Sequence, residues 1–166
     1  MCFDGKVMTE NAAILAFLDR QYSDVKLLPK IDDSVLANIG LSDLAWCSGA
    51  IYLIVRQICN PGRLTRGDRK GVQKDGLEKL SKETEDFSNH LSGGRWWYGD
   101  SWSILDVCIY WAYSTAEKGG FALLDYPDLI EHAARVRARS SFQRTLKREL
   151  DSADGAGIEF KGTMAL

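Results

Sequence analysis

The chain has 166 residues, with 21 Lys and Arg against 23 Asp and Glu, for a formal net charge of −2. That balance gives no basic surplus for nucleic acid or an anionic membrane, so neither is expected as a partner. Hydrophobic residues make up 45% and charged residues 27%, which fits a soluble globular protein of one domain, or one domain plus part of another. No apolar run is expected to reach the ~18 residues of a membrane span, and no basic segment leads into an apolar one at the N-terminus as in a signal peptide.

In chain order, Phe3-Asp4-Gly5-Lys6-Val7-Met8 reads as a turn and a short strand, with Asp4-Gly5 a hairpin dipeptide. Thr9 is expected to cap a helix from Glu10 to about Tyr22, with Ala13, Ile14, Phe17 and Leu18 on one stripe. Leu27-Leu28-Pro29 ends this section. A second helical pattern begins at Asp32 or Asp33 and runs to about Cys59, with Gly40 or Gly49 as places to bend, and Asn60-Pro61-Gly62 stops it. Asp68 to Leu91 is an amphipathic helix with Val72, Leu77, Leu80, Phe87 and Leu91 inward. Gly93-Gly94 is a turn. Tyr126-Pro127 opens a helix to about Arg139, and Ser140 or Ser141 caps a last one through Leu150. The segment 151–166 has little apolar periodicity. A lone strand followed only by helices leaves its backbone groups without partners, so the chain is expected to start inside a sheet-containing unit whose other strands are missing.

The densest signal is Gly99-Asp100-Ser101-Trp102-Ser103-Ile104-Leu105-Asp106. Ser103 and Asp106 form a capping box with Asp in the place of Glu. The helix beyond it, with Cys108, Ile109, Trp111, Ala112 and Tyr113, is apolar all round and is expected to be buried. Its first-turn donors then depend on the box rather than on water. Lys118-Gly119-Gly120 closes it. The basic run from Arg135 to Arg148 reads as solvated helix faces, and Trp96-Trp97-Tyr98 with Trp102 as packing around the box. Cys2, Cys47, Cys59 and Cys108 include no C-x-x-C, and His90 and His132 have no metal-ligand spacing, so reduced cysteines and no metal are expected.

Three pieces together resemble the glutathione S-transferase superfamily. Gly5 to Ile14 resembles the last strand and last helix of its thioredoxin-like domain, where a Glu/Gln-Ser pair starts the helix. Leu27-Leu28-Pro29 resembles the interdomain linker. Gly99 to Asp106, with Tyr126-Pro127 downstream, resembles the helical domain's capping-box segment. The implied fold is mainly all-α: a glutathione-transferase C-terminal-like bundle at 30–150, a thioredoxin-like remnant at 1–29 and a tail at 151–166. The first strands and helices, with the Tyr, Ser or Cys that activates the glutathione sulfur and the cis-proline turn, have no counterpart here. The Glu/Gln-Ser pair is Glu10-Asn11.

The resemblance implies a cytoplasmic, homodimeric parent enzyme that conjugates glutathione to an electrophilic small molecule, with glutathione as co-substrate and detoxification as its context. Glu10 would pair with the γ-glutamyl ammonium, and Asn11 with the backbone donors of the helix start would hold the carboxylate. Without the resemblance, Glu10 merely complements the helix dipole. Trp46, Cys47, Ile51, Tyr52, Val55 and Tyr113 are the candidates for the electrophile pocket, against the plainer reading that they are bundle core. No residue of the chain is assigned as catalytic. Two other readings stand beside conjugation: a non-catalytic interaction or scaffolding module, and a glutathione-dependent isomerase or dehalogenase.

Overall fold

A computed structural model describes residues 1–29 and 38–157. At the N-terminus two strands form a hairpin, β1 (Cys2–Phe3) antiparallel to β2 (Lys6–Val7), with Cys2 opposite Val7 and Phe3 opposite Lys6. The lone strand expected from the sequence is therefore a pair. Asp4 (φ 47°) and Gly5 (φ 74°) both take positive φ, the requirement of the tight turn that Asp-Gly favours. Beyond the strands, the Met8 N–H donates to the Met1 carbonyl at 2.8 Å.

Helix α1 (Asn11–Gln21) follows. It starts after Glu10, and Thr9 is not its cap. Its buried residue is Ala16, with Ala12 and Leu15 against the core, whereas Ala13 is exposed. The core-facing stripe is thus offset from the expected one, because the helix serves two neighbours. One face meets the bundle, and Phe17 meets Phe3 of the hairpin at 4.9 Å between centroids. Asp19 accepts the Leu28 N–H at 3.0 Å, and the Leu27 carbonyl accepts the Ile104 N–H at 2.8 Å. The linker so fastens α1 to the start of a helix far along the chain.

The expected start of the second helix lies outside the described residues. Within them, α2 (Ile39–Trp46) passes through a π-helical turn (Cys47–Ile51) into α3 (Tyr52–Cys59). Gly49 falls within this widened turn, where Ser48 Oγ donates to the carbonyls of Leu44 and Ala45 at 2.9 and 3.2 Å. By length and composition the Ile39–Cys59 segment is apolar enough to cross a membrane. Here it carries Leu44, Ile51, Val55 and Ile58 of the core, each at most 2% exposed.

Helix α4 (Arg69–Leu91) is capped by Asp68, whose carboxylate accepts the Gly71 N–H at 2.8 Å. Gly76 is the close approach between α3 and α4: a methyl there would stand 2.9 Å from Gln57 Cβ and 3.1 Å from Ile58 Cγ1. Helix α5 (Ile104–Lys118) runs through the core, with Leu105, Ile109, Ala112 and Ala116 all fully enclosed. It is not buried on every side: Trp111 is 39% exposed. Helices α6 (Pro127–Ala138) and α7 (Ser140–Gly155) cover the remaining flank, Tyr110 of α5 meeting Phe142 of α7 at 5.1 Å. Part of the basic run is not simply solvated. The guanidinium of Arg139 lies 3.9 Å from the Trp102 ring centroid and that of Arg135 lies 5.3 Å from Trp96.

The expected box forms, and it is larger than two residues. Ser103 and Asp106 bond reciprocally, with the Ser103 N–H donating to Asp106 Oδ2 at 2.8 Å. The other oxygen, Oδ1, accepts the Trp97 N–H at 2.8 Å and Nε2–H of His132 at 2.9 Å. Asp106 is fully buried and His132 is 1% exposed. Burial alone would raise the carboxyl's pKa. The donors from His132, Trp97 and Ser103 outweigh it and hold Asp106 below its ordinary value. One carboxylate thereby ties the 96–99 turn, the start of α5 and the middle of α6.

Candidate functional site

The other helix start of interest, that of α1, is built in the opposite way. Glu10 adopts φ 64° and ψ 119°, well away from the backbone regions open to a bulky L-residue, which costs about 1–3 kcal/mol. Its carbonyl already accepts the Ile14 N–H at 3.0 Å, yet its side chain caps nothing. Both Glu10 and Asn11 are exposed. Among the described residues the Glu10 carboxylate takes no hydrogen bond and no ion pair. The first-turn donors of α1 are thus left without a side-chain cap, at the positive end of an 11-residue helix.

Asn11 joins this start to a cleft of about 370 Å³ lined by Leu15, Tyr52, Ile104, Val107, Cys108 and Trp111 as well as Asn11 itself. The Asn11 amide is a hydrogen-bond neighbour of the Tyr52 hydroxyl. Tyr52 stands against Trp111 at 4.5 Å between centroids. Burial pushes the Tyr52 phenol well above its ordinary range, so it enters the cleft as a neutral O–H. A second hollow of about 340 Å³ shares Ile104, Val107 and Trp111 and continues past Phe142 to Leu146 of α7. The two adjoin on the shared α5 wall as a trench that is apolar along α5 and carries Arg139, Ser141, Thr145 and Glu149 at its α7 end.

Of the residues expected to line an electrophile pocket, Tyr52 alone faces this trench. Cys47, Ile51 and Val55 are 1%, 0% and 2% exposed and belong to the core. Tyr113 is buried as well, its hydroxyl 2.7 Å from Thr84 Oγ1. Trp46 faces a different cleft and stacks on Trp97 at 5.5 Å. The Cys47 thiol donates to the sulfur of Cys108 and is enclosed, and both effects push its pKa up, so it is no thiolate nucleophile. The same bond lowers the Cys108 thiol. The residues that sequence reasoning passed over are Leu15, Ile104, Val107, Cys108 and Trp111. Period-based reading finds no polar face on α5, so nothing in the sequence marks which of its sides stays open. Among the described residues, no group of three His, Cys, Asp or Glu side chains is placed to hold a metal ion.

No family model matches the sequence, and no curated protein matches it. Solved structures do. A sphingomonad glutathione S-transferase complexed with glutathione superposes with a TM-score of 0.75 at 23% identity, over 90% of this chain and 72% of that one. A ternary complex of BphK, a bacterial glutathione S-transferase, gives 0.77 at 18% identity over the same shares, 90% and 72%. The chain has the glutathione S-transferase fold. A bacterial beta-class glutathione S-transferase from Sphingomonas chungbukensis adds a TM-score of 0.66 at 25% identity, again over 90% of this chain and 72% of that one. A mainly helical bundle with a small thioredoxin-like remnant is therefore the architecture, as the resemblance implied.

Proposed function

We propose that this chain is the helical part of a glutathione transferase and carries the end of the glutathione site that grips the γ-glutamyl group. The observation that carries the reading is the start of α1. A Glu is held in a strained conformation, exposed and unpartnered, beside helix donors that no side chain caps. The γ-glutamyl end of glutathione bears an ammonium and a carboxylate side by side. Glu10 supplies the charge for the first and the α1 amides, with Asn11, supply donors for the second. That three-dimensional relatives of this fold hold glutathione supports the assignment.

On this reading residues 1–29 belong to the thioredoxin-like half and 30–150 to the helical half. The trench along α5 meets the first half at Asn11 and Leu15, and Tyr52, Trp111 and Val107 share its lining. The transfer itself joins the glutathione thiolate sulfur, its proton released to water, to an electrophilic carbon, and the leaving group departs with the pair of the bond it had to that carbon. The parts assigned here bind and orient; proximity is their contribution.

The test is a titration of the chain with reduced glutathione, followed by the backbone amide resonances of Asn11, Ala12 and Ala13. Saturable shifts at those amides are expected, together with roughly tenfold weaker binding in Glu10→Gln, the loss of one charge-assisted contact. Shifts elsewhere only, or binding indifferent to Glu10→Gln, would overturn the assignment.

A further inference from the structure

Two of the four cysteines of this chain meet beneath the cleft at Asn11. Cys47 opens the π-helical turn, and Cys108 lies in the second turn of α5. Their side chains are in hydrogen-bond contact, the Cys47 thiol donating to the Cys108 sulfur, and the Tyr52 hydroxyl is a hydrogen-bond neighbour of both. Neither is bridged. The two differ in access. Cys108 lines the cleft of about 370 Å³ and is 6% exposed, whereas Cys47 lines no part of it and is 1% exposed. One sulfur therefore stands behind the other. A reagent in the cleft meets Cys108 first and reaches Cys47 only through it.

A cysteine that only fills space at a helix contact behaves differently. Cys59 of α3 also faces α5, and its thiol donates to the Thr115 carbonyl at 3.2 Å. Cys47 gives its proton to a second sulfur instead. The bond accepted from Cys47, and another from Tyr52, hold the Cys108 thiol below its ordinary value against the opposing effect of burial. The same contact is the main cause that keeps the proton on Cys47. That hold ends once the Cys108 sulfur is bonded to another sulfur. The pair thus has one sulfur prepared to attack and a second held back until the first has reacted, which is the order that exchange through a mixed disulfide needs.

We propose that Cys108 and Cys47 are a redox-active dithiol whose substrate is a small disulfide entering the cleft at Asn11. The Cys108 thiolate, its proton given to water, attacks one sulfur of the disulfide. A Cys108–sulfur bond forms, the small molecule's S–S bond breaks, and the first thiolate leaves with that bond's electron pair and takes up a proton from water. Cys47 then loses its proton to water and attacks the Cys108 sulfur, expelling the second thiolate, which is protonated in turn. Two protein thiols are oxidised to a Cys47–Cys108 disulfide, and one small disulfide is reduced to two thiols. Glu10 takes no part in either step, so the proposal is independent of the γ-glutamyl assignment.

The experiment exposes the intact, reduced chain to hydroxyethyl disulfide under native conditions, alkylates the remaining thiols and maps the products by mass spectrometry. Cys2 is exposed and serves as the internal control, expected to carry a simple mixed disulfide. A peptide pair joined through Cys47 and Cys108 is expected, at a yield at least about tenfold above that of the same chain in urea, where no fold holds the two sulfurs together. In Cys47→Ser the reaction is expected to stop at a mixed disulfide on Cys108. In Cys108→Ser, Cys47 is expected to react at least about tenfold more slowly than Cys108 does in the unaltered chain. Recovery of both thiols free after Cys2 is fully converted would overturn the proposal. So would a Cys108 adduct that persists without the cross-link, or a cross-link formed as readily in urea, and neither result needs a variant.

Discussion

Two helices of this chain begin with an acidic residue near the first turn, and they begin in opposite ways. At α5 the carboxylate of Asp106 is buried and receives donors from Ser103, Trp97 and His132. At α1 the carboxylate of Glu10 is exposed, receives none, and sits on a backbone at φ 64°. The first arrangement pairs both oxygens of the carboxylate with donors of the fold and leaves neither for a ligand. The second leaves donors and a charge unspent and accepts strain to do so. Polar groups that complete the fold and polar groups that await a partner can therefore be told apart by their bookkeeping of hydrogen bonds, even where the residue types are alike.

The largest effect expected from breaking this contrast is at Asp106. Asp106→Asn keeps the size of the side chain but removes the charge and turns an N–H₂ toward existing donors. It should lower unfolding free energy by about 3 kcal/mol, as expected for breaking a buried charged network. In urea melts the midpoint should fall; in heating, Tm should drop by roughly 6–12 °C. The same carboxylate gives the contrast a pH signature. Its folded pKa is depressed, so its stabilisation is fully present above the ordinary Asp range and disappears as pH falls through the folded value. Stability between about pH 5 and the acid limit should therefore decline more steeply in the unaltered chain than in Asp106→Asn. Parallel declines would show that the carboxylate is not the group that holds the helix start.

Ser103→Ala should have a smaller cost of about 1–2 kcal/mol, because one capping hydroxyl is lost while Trp97 and His132 still hold Asp106. A cost as large as that of Asp106→Asn would mean that Ser103, and not the carboxylate, is the centre of the knot.

How much of this contrast is visible in the sequence depends on distance along the chain. Ser103 and Asp106 are three apart, and a capping box is a local pattern, so the box was legible. Its connection to His132, 26 positions on, was not, since that contact exists only once α6 is packed. The Asp4-Gly5 turn was legible because both residues tolerate positive φ; its second strand, two residues long, was below what alternation can reveal. The strain at Glu10 left no mark, because Glu has no preference for positive φ and nothing in its type announces one. Cys47, Ile51 and Val55 are apolar residues of the long helix that point into the core. The π-helical turn at Cys47–Ile51 inserts an extra residue, and a 3.6-residue period does not carry a phase through it. The open side of α5 was hidden by its uniform hydrophobicity.

The most direct test of the central claim is the unfolding free energy of Glu10→Gly in urea. The claim is that Glu10 is held against its own backbone preference and contributes nothing to the fold through its side chain. Glycine relieves strain of about 1–3 kcal/mol against a loss of roughly 0.5–1 kcal/mol in chain entropy. Glu10→Gly is expected to be more stable than the unaltered chain by about 1 kcal/mol, with the slope of the urea dependence unchanged. A less stable variant would contradict it, because Glu10 would then be completing the helix start as Asp106 completes that of α5.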